Sequence, residues 1–188
     1  MRLFVAINLP DGLRDLVDTI VAPARERLPS VRWVPAERFH LTLKFVGDCT
    51  AERAQELGVA LHSVAAVSPR LSCTVGGAGV FPNFRRPRVV WLGVQQPLIV
   101  KIASELDRAL GRLGIPVEAR PYVPHLTVGR LDRDLRDAEL AVLAGWARSV
   151  GHVGELPVRS VELMESAQER GGRAYTLVTQ AHMGADHC

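Results

Sequence analysis

The chain has 188 residues, of which 47% are hydrophobic and 23% charged, with a formal net charge of +3 and a pI near 9.1. These are globular proportions: they exclude a largely disordered chain and suit one domain, or two small lobes sharing a core. The slight positive excess favours a polyanionic partner without specifying one. No apolar run approaches the ~20 residues of a membrane-spanning helix. The three cysteines, Cys49, Cys73 and Cys188, have no paired spacing. That excludes a Cys-rich zinc site and suits a reducing, cytoplasmic compartment better than a disulfide framework.

Leu3 to Leu9 is a short apolar run ended by Pro10-Asp11-Gly12, which predicts a buried strand; the break comes too early for a signal peptide. Leu13, Leu16, Val17, Ile20 and Ala24 recur at helical spacing up to Pro29. Strands are predicted at Val31–Val34 and Phe39–Val46. Thr50 can cap a second helix with the apolar face Ala54, Leu57, Leu61 and Val64. Arg70–Val75 and Val89–Val94 read as strands, separated by Gly76-Gly77 and the loop from Phe81 to Pro87. A third helix carries Leu98, Ile102, Leu106, Leu110 and Leu113, with Gly114 to end it. Tyr122–Gly129 is strand-like, Leu135–Ala147 helical, and Val158–Met164 and Ala174–Thr179 close the chain as strands around a Gly171-Gly172 hairpin turn. The tail, Ala181–Cys188, has no pattern and is expected to be mobile. This alternation predicts layered α+β or α/β architecture, with no linker dividing residues 1–188.

Within it lies a repeat. Arg38-Phe39-His40-Leu41-Thr42-Leu43 and Val123-Pro124-His125-Leu126-Thr127-Val128 are similar hexamers 85 residues apart. On a strand, residues i and i+2 share a face. His40 with Thr42, and His125 with Thr127, therefore each present an imidazole and a hydroxyl, backed by an apolar residue. Two related lobes, each giving one such strand to a shared cleft, would gather two imidazoles and two hydroxyls. That set suits phosphodiester chemistry. One neutral imidazole takes a proton from water, a protonated one gives a proton to the leaving oxygen, and the hydroxyls donate to the phosphate. A single strand histidine reads as a structural residue; the recurrence carries the signal. The motifs offer no third or fourth zinc ligand at i+2 from either histidine, and no P-loop occurs.

In these motifs and their surroundings the chain resembles the 2H phosphoesterase superfamily, and within it the RNA 2′,3′-cyclic phosphodiesterase (LigT-like, or ThpR) family. The likeness runs from Arg2–Ile7 through Trp33-Val34, His40–Gly47, Phe81-Pro82, Arg86–Trp91 and Pro124–Arg130 to Val161–Ser166 and Tyr175. It implies an α+β bilobal fold, with two pseudo-symmetric lobes of antiparallel sheet, outer helices and a central cleft. It also implies opening of the 2′,3′-cyclic phosphate at an RNA end, or of a cyclic nucleotide, to a 2′-phosphate; with no further metal ligands at the motifs, no cofactor or metal is expected. Reverse 2′–5′ ligation would be a side activity. By the same resemblance His40 is the general acid, His125 the general base, Thr42 and Thr127 hold phosphate, and Phe45 and Arg130 sandwich the terminal base.

Strict alternation sets Phe45 and Arg130 on the face away from the histidines, so their role requires each strand to end or bulge. Lys44 has the parity to join the catalytic face and is read as a further substrate contact or, equally, a solvated strand-end lysine. Arg85, Arg86 and Arg88, with Phe81 and Phe84, are read as a single-stranded RNA groove or a solvated loop, and Tyr175 and Ser166 as structural. A monomer is expected. The competing readings are a nucleotide- or RNA-binding module without catalysis and a phosphodiesterase for another small cyclic phosphate.

Overall fold

A computed structural model of the chain describes residues 1–169 and 172–184. The first strand, β1 (Arg2–Asn8), is buried from Leu3 to Ile7, as its unbroken apolar run requires. Pro10 ends it and leads into α1 (Asp11–Arg27), which buries Leu13, Val17, Val21 and Ala24 along one stripe. A short β2 (Arg32–Trp33) and a 3₁₀ turn (Ala36–Arg38) precede β3 (His40–Asp48). The Thr50 side chain accepts a hydrogen bond from Arg53 N and starts α2 (Ala51–Ala66). Then follow β4 (Leu71–Phe81), β5 (Val89–Gln95), α3 (Pro97–Gly111), β6 (His125–Arg130), α4 (Asp137–Ser149), β7 (His152–Val158), β8 (Ser160–Glu169) and β9 (Gly172–His182).

All strand pairs are antiparallel, in the order β7-β4-β5-β6-β3-β1-β8-β9, with β2 added on β6. The sheet falls into two four-stranded halves, β3-β1-β8-β9 and β7-β4-β5-β6. They meet at one paired position, Leu41 with Leu126, both fully buried. The helices cover the face on which those leucines lie, and they do so crosswise. α1 leaves β1 of the first half to pack on β7 of the second; α3 leaves β5 of the second half to pack on β3 and α2. The α+β, doubled antiparallel architecture expected from the sequence is the architecture present.

Four local expectations are corrected. Gly76-Gly77 does not interrupt a strand: β4 continues through it with a register shift between Val75 and Ala78. Gly77 takes φ +67, and a Cβ on Gly76 would stand 2.8 Å from Gly151 O, so glycine permits a bulge and a close chain approach there. The expected strand Tyr122–Gly129 begins only at His125, because the chain before it is held in an irregular segment. The last strands number three. His152–Val158 contains Gly154 and Pro157 and lacks apolar alternation, but it is an edge strand, where proline is tolerated. Of the anticipated Gly171-Gly172 turn, Gly171 lies outside the described residues, as do 185–188; the rest of the expected mobile tail is ordered, since Ala181 and His182 end β9 and Met183 is buried and donates its N–H to Arg159 O.

Candidate active site

β3 and β6 begin His-Leu-Thr-Leu-Lys-Phe and His-Leu-Thr-Val-Gly-Arg, and their burial follows the same course. The histidine and threonine are half-buried, the residue between them is buried, two successive buried residues follow, and the sixth is exposed. Antiparallel alignment about the Leu41–Leu126 pair turns His40 toward Thr127 and Thr42 toward His125 on the face opposite the core. Both motifs therefore contribute to one surface, related by an approximate two-fold axis through the leucine pair.

Each imidazole is held in the same way. His40 Nδ1 lies 2.7 Å from Arg38 O and His125 Nδ1 lies 2.7 Å from Val123 O, each the carbonyl two residues back. A carbonyl only accepts, so Nδ1 carries the hydrogen and Nε2 is left for proton transfer. Aromatic rings wall each histidine. Phe4 and Tyr175 stand with ring centroids 5.1 and 5.2 Å from His40, and Phe81 and Trp91 5.0 and 6.4 Å from His125. Burial lowers the pKa of both imidazoles; the carbonyl contacts oppose this, and the positive charge of Arg130 adds to it at both. His40 is further lowered by His125, which places the two rings within electrostatic reach.

Phe45 and Arg130 reach this face because both strands bulge. In β3 the partners jump from Val5–Lys44 to Ala6–Thr42, leaving Leu43 extra; in β6 they jump from Val90–Gly129 to Trp91–Thr127, leaving Val128 extra. Each bulge buries two residues in succession and brings the next one out with the histidines. Phe45 is 62% exposed, and Arg130 is exposed and forms no ion pair among the described residues.

The same bulge removes Lys44 from the site, which corrects the parity argument made for it. Lys44 is 2% exposed. Its Nζ donates to Asp107 Oδ1 and Pro116 O, both at 2.5 Å, with Glu118 3.9 Å away. It ties β3 to α3 and to the segment leading to His125. Tyr122 adds a second tie, its hydroxyl donating to Thr42 O at 2.8 Å. The arginine loop is also occupied: Arg88 and Arg86 both reach Asp134, at 2.6 and 3.4 Å, while Phe81 turns inward to His125. Sequence reasoning missed the aromatic walls. Tyr175 reads as structural by default, and Trp91 only as part of the strand Val89–Val94. Trp91 lies over Gly79, where a Cβ would meet its ring at 2.3 Å, and its buried indole N–H has no partner among the described residues.

The paired imidazoles thus form a candidate two-histidine site on a duplicated scaffold. Comparison with known proteins gives the family. The family model for LigT like phosphoesterases matches twice, over residues 7–91 and 92–175, so the chain belongs to that family. Each histidine falls 33 residues beyond the start of its repeat (7 to 40, 92 to 125). The RNA 2′,3′-cyclic phosphodiesterase of Methanothermobacter thermautotrophicus is 36% identical over 179 residues, 94% of this chain and 95% of that protein. That of Aquifex aeolicus is 31% identical over 98% of both. Among solved structures, a protein of Thermus thermophilus superposes with a TM-score of 0.83 at 25% identity over the full length of both chains. Escherichia coli LigT with 3′-AMP gives 0.78 at 28% identity over 97% of both.

Proposed function

We propose that the chain hydrolyses the 2′,3′-cyclic phosphate at RNA ends to a 2′-phosphate, without a metal. The observation that carries this is the pair of imidazoles, each held through Nδ1 with Nε2 unbonded among the described residues, on one face beside two threonines. Relatives that match nearly the whole chain bear the name RNA 2′,3′-cyclic phosphodiesterase. Escherichia coli LigT has been crystallised with 3′-AMP, ATP, NADP+ and phosphate, all of which carry phosphate.

His125 takes a proton from water as the water oxygen attacks phosphorus, the bond from phosphorus to the 3′ oxygen breaks, and His40 protonates that oxygen. One imidazole ends protonated and the other neutral, so a proton must be exchanged with solvent before the next turnover. Thr42 and Thr127 donate to the non-bridging oxygens. The assignment of acid and base comes from the family; the more open setting of His125 suits a base that must meet water. Phe45 and Arg130 grip the terminal base by stacking. Reverse 2′–5′ joining to a 5′-hydroxyl uses the same groups. A cytoplasmic monomer is our reading of the cysteine spacing and the chain's proportions; among the described residues no helix is long and apolar enough to cross a membrane.

The test is incubation of an oligonucleotide ending in a 2′,3′-cyclic phosphate in EDTA. Appearance of a 2′-monoester supports the proposal. A 3′-monoester would reassign the leaving oxygen, and nucleotide binding with no turnover would favour a binding module.

A pH dependence follows from the lowered imidazole pKa values. In the free protein one ring must be protonated and the other neutral, so the bell of kcat/KM against pH is expected to centre below the ordinary histidine value of ~6.5. Bound phosphate restores proton affinity, so the kcat bell should lie at higher pH; coincident bells would contradict this. The same shifts cost stability as pH falls below ~6.5, because the unfolded chain then binds protons that the folded one refuses.

A further inference from the structure

The open face extends beyond His40. Asn8, paired with His40 across the β1–β3 ladder, borders a pocket of about 520 Å³ that also takes in Pro10, Arg159, Glu162, Leu177 and Gln180. That is room for a nucleoside. Glu162 pairs with Ala6, and its neighbour on the same face, Met164, pairs with Phe4, the ring that walls His40. The pocket and the catalytic histidines therefore share one surface. Glu162 lies two strand spacings, roughly 10 Å, from the His40 strand.

The chemistry of this pocket is that of a polar, mixed ligand. Glu162 is 5% exposed and meets no cation within ion-pair distance among the described residues. It is held by neutral donors instead: Asn8 N to Oε2 at 3.2 Å, and Ser160 Oγ and Gln180 Nε2 to Oε1 at 2.6 and 3.1 Å. A carboxylate offers about four acceptor positions, so one on Oε2 remains. Burying a carboxylate without a cation is costly unless something uses it. Arg159, exposed at the same pocket, has no ion-pair partner among the described residues, and Leu177 is 52% exposed. A cation, a buried acceptor and an apolar platform are what a phosphate, a sugar or base donor, and a base face require.

We propose that this pocket is a second nucleoside subsite, which takes the ribonucleoside preceding the cyclic end. Arg159 meets the linking phosphate, Leu177 supports the base, and Glu162 accepts a hydrogen from a ribose hydroxyl or a base amino group. The inference rests on the RNA-end reading above and deepens it: the preferred substrate is an oligonucleotide, not a cyclic mononucleotide.

The test compares kcat/KM for a 2′,3′-cyclic mononucleotide with that for a dinucleotide ending in the same group. The dinucleotide is expected to be preferred about tenfold, within the range for one bound and stacked base. Leu177→Asp removes the apolar platform at an exposed position and sets a carboxylate beside the linking phosphate, and Glu162→Gln alters the acceptor; each should move the ratio several-fold toward one. A wild-type ratio near one, or a ratio unmoved in Leu177→Asp with an unchanged thermal midpoint, overturns the subsite. Should neither substrate turn over, the reading of the activity fails. Calorimetric binding of the uncleaved dinucleotide and mononucleotide then decides the subsite by the same ratio.

Discussion

Alanine at His40 or at His125 is expected to lower kcat on a 2′,3′-cyclic phosphate by about 10²–10⁴-fold, the usual contribution of one positioned acid or base. The double variant should lose little more than the worse single one, because the two rings serve the same bond-breaking step and their effects are not additive. The fold should survive both changes. The core of these strands is Leu41, Leu43, Leu126 and Val128, whereas each imidazole is half-buried on the other face and, among the described residues, bonded only to a local carbonyl. Single-turnover rates with thermal midpoints measured alongside check this. Either alanine variant acting within tenfold of the wild type, correctly folded, would sink the two-histidine mechanism.

Lys44→Met should act on stability. Removing the ammonium leaves Asp107, whose side chain is 16% exposed, without its closest cation and frees Pro116 O. Breaking a buried pair from one side costs about 3–5 kcal/mol. Since Asp107 keeps some contact with water, the lower end applies, and for a chain of this size the midpoint should fall on the order of 10 °C. A substrate-binding lysine would give the opposite pattern: an unchanged midpoint with a raised KM. Calorimetry together with a KM measurement separates the two, and a midpoint shift below about 2 °C, less than 1 kcal/mol calls for at this size, would refute the buried role.

Those two predictions mark where the sequence was legible and where it was not. His40, Thr42, His125 and Thr127 were readable because i, i+2 parity on a strand is local, and because the motif occurs twice. The need for a bulge before Phe45 and Arg130 was readable for the same reason. What parity could not tell is on which residue each bulge falls. Lys44 changes faces with a slip of one position, and only its partners, Asp107 on α3 and Pro116 beyond it, fix the outcome; they lie 63 and 72 residues away along the chain. Trp91, Phe81, Phe4 and Tyr175 stayed hidden because walls around a ring are made by neighbouring strands, and periodicity along one strand carries no information about them. β7 escaped because an edge strand need not alternate.

The crosswise packing of α1 and α3 has a consequence for how the molecule can be divided. The sequence repeats join between residues 91 and 92, but the spatial halves do not. The first half takes β1 and β3 from the start of the chain, β8 from within the second repeat, and β9, which runs past that repeat's end. The second half takes β4 from one repeat and β6 and β7 from the other, and the joint itself falls inside β5. Neither repeat, released as a fragment, would own a complete layer of strands or the helices that shield it. The two would have to find each other to fold at all. The duplication that is so plain along the chain is therefore entangled in space, and the catalytic face exists only as a joint product of both copies.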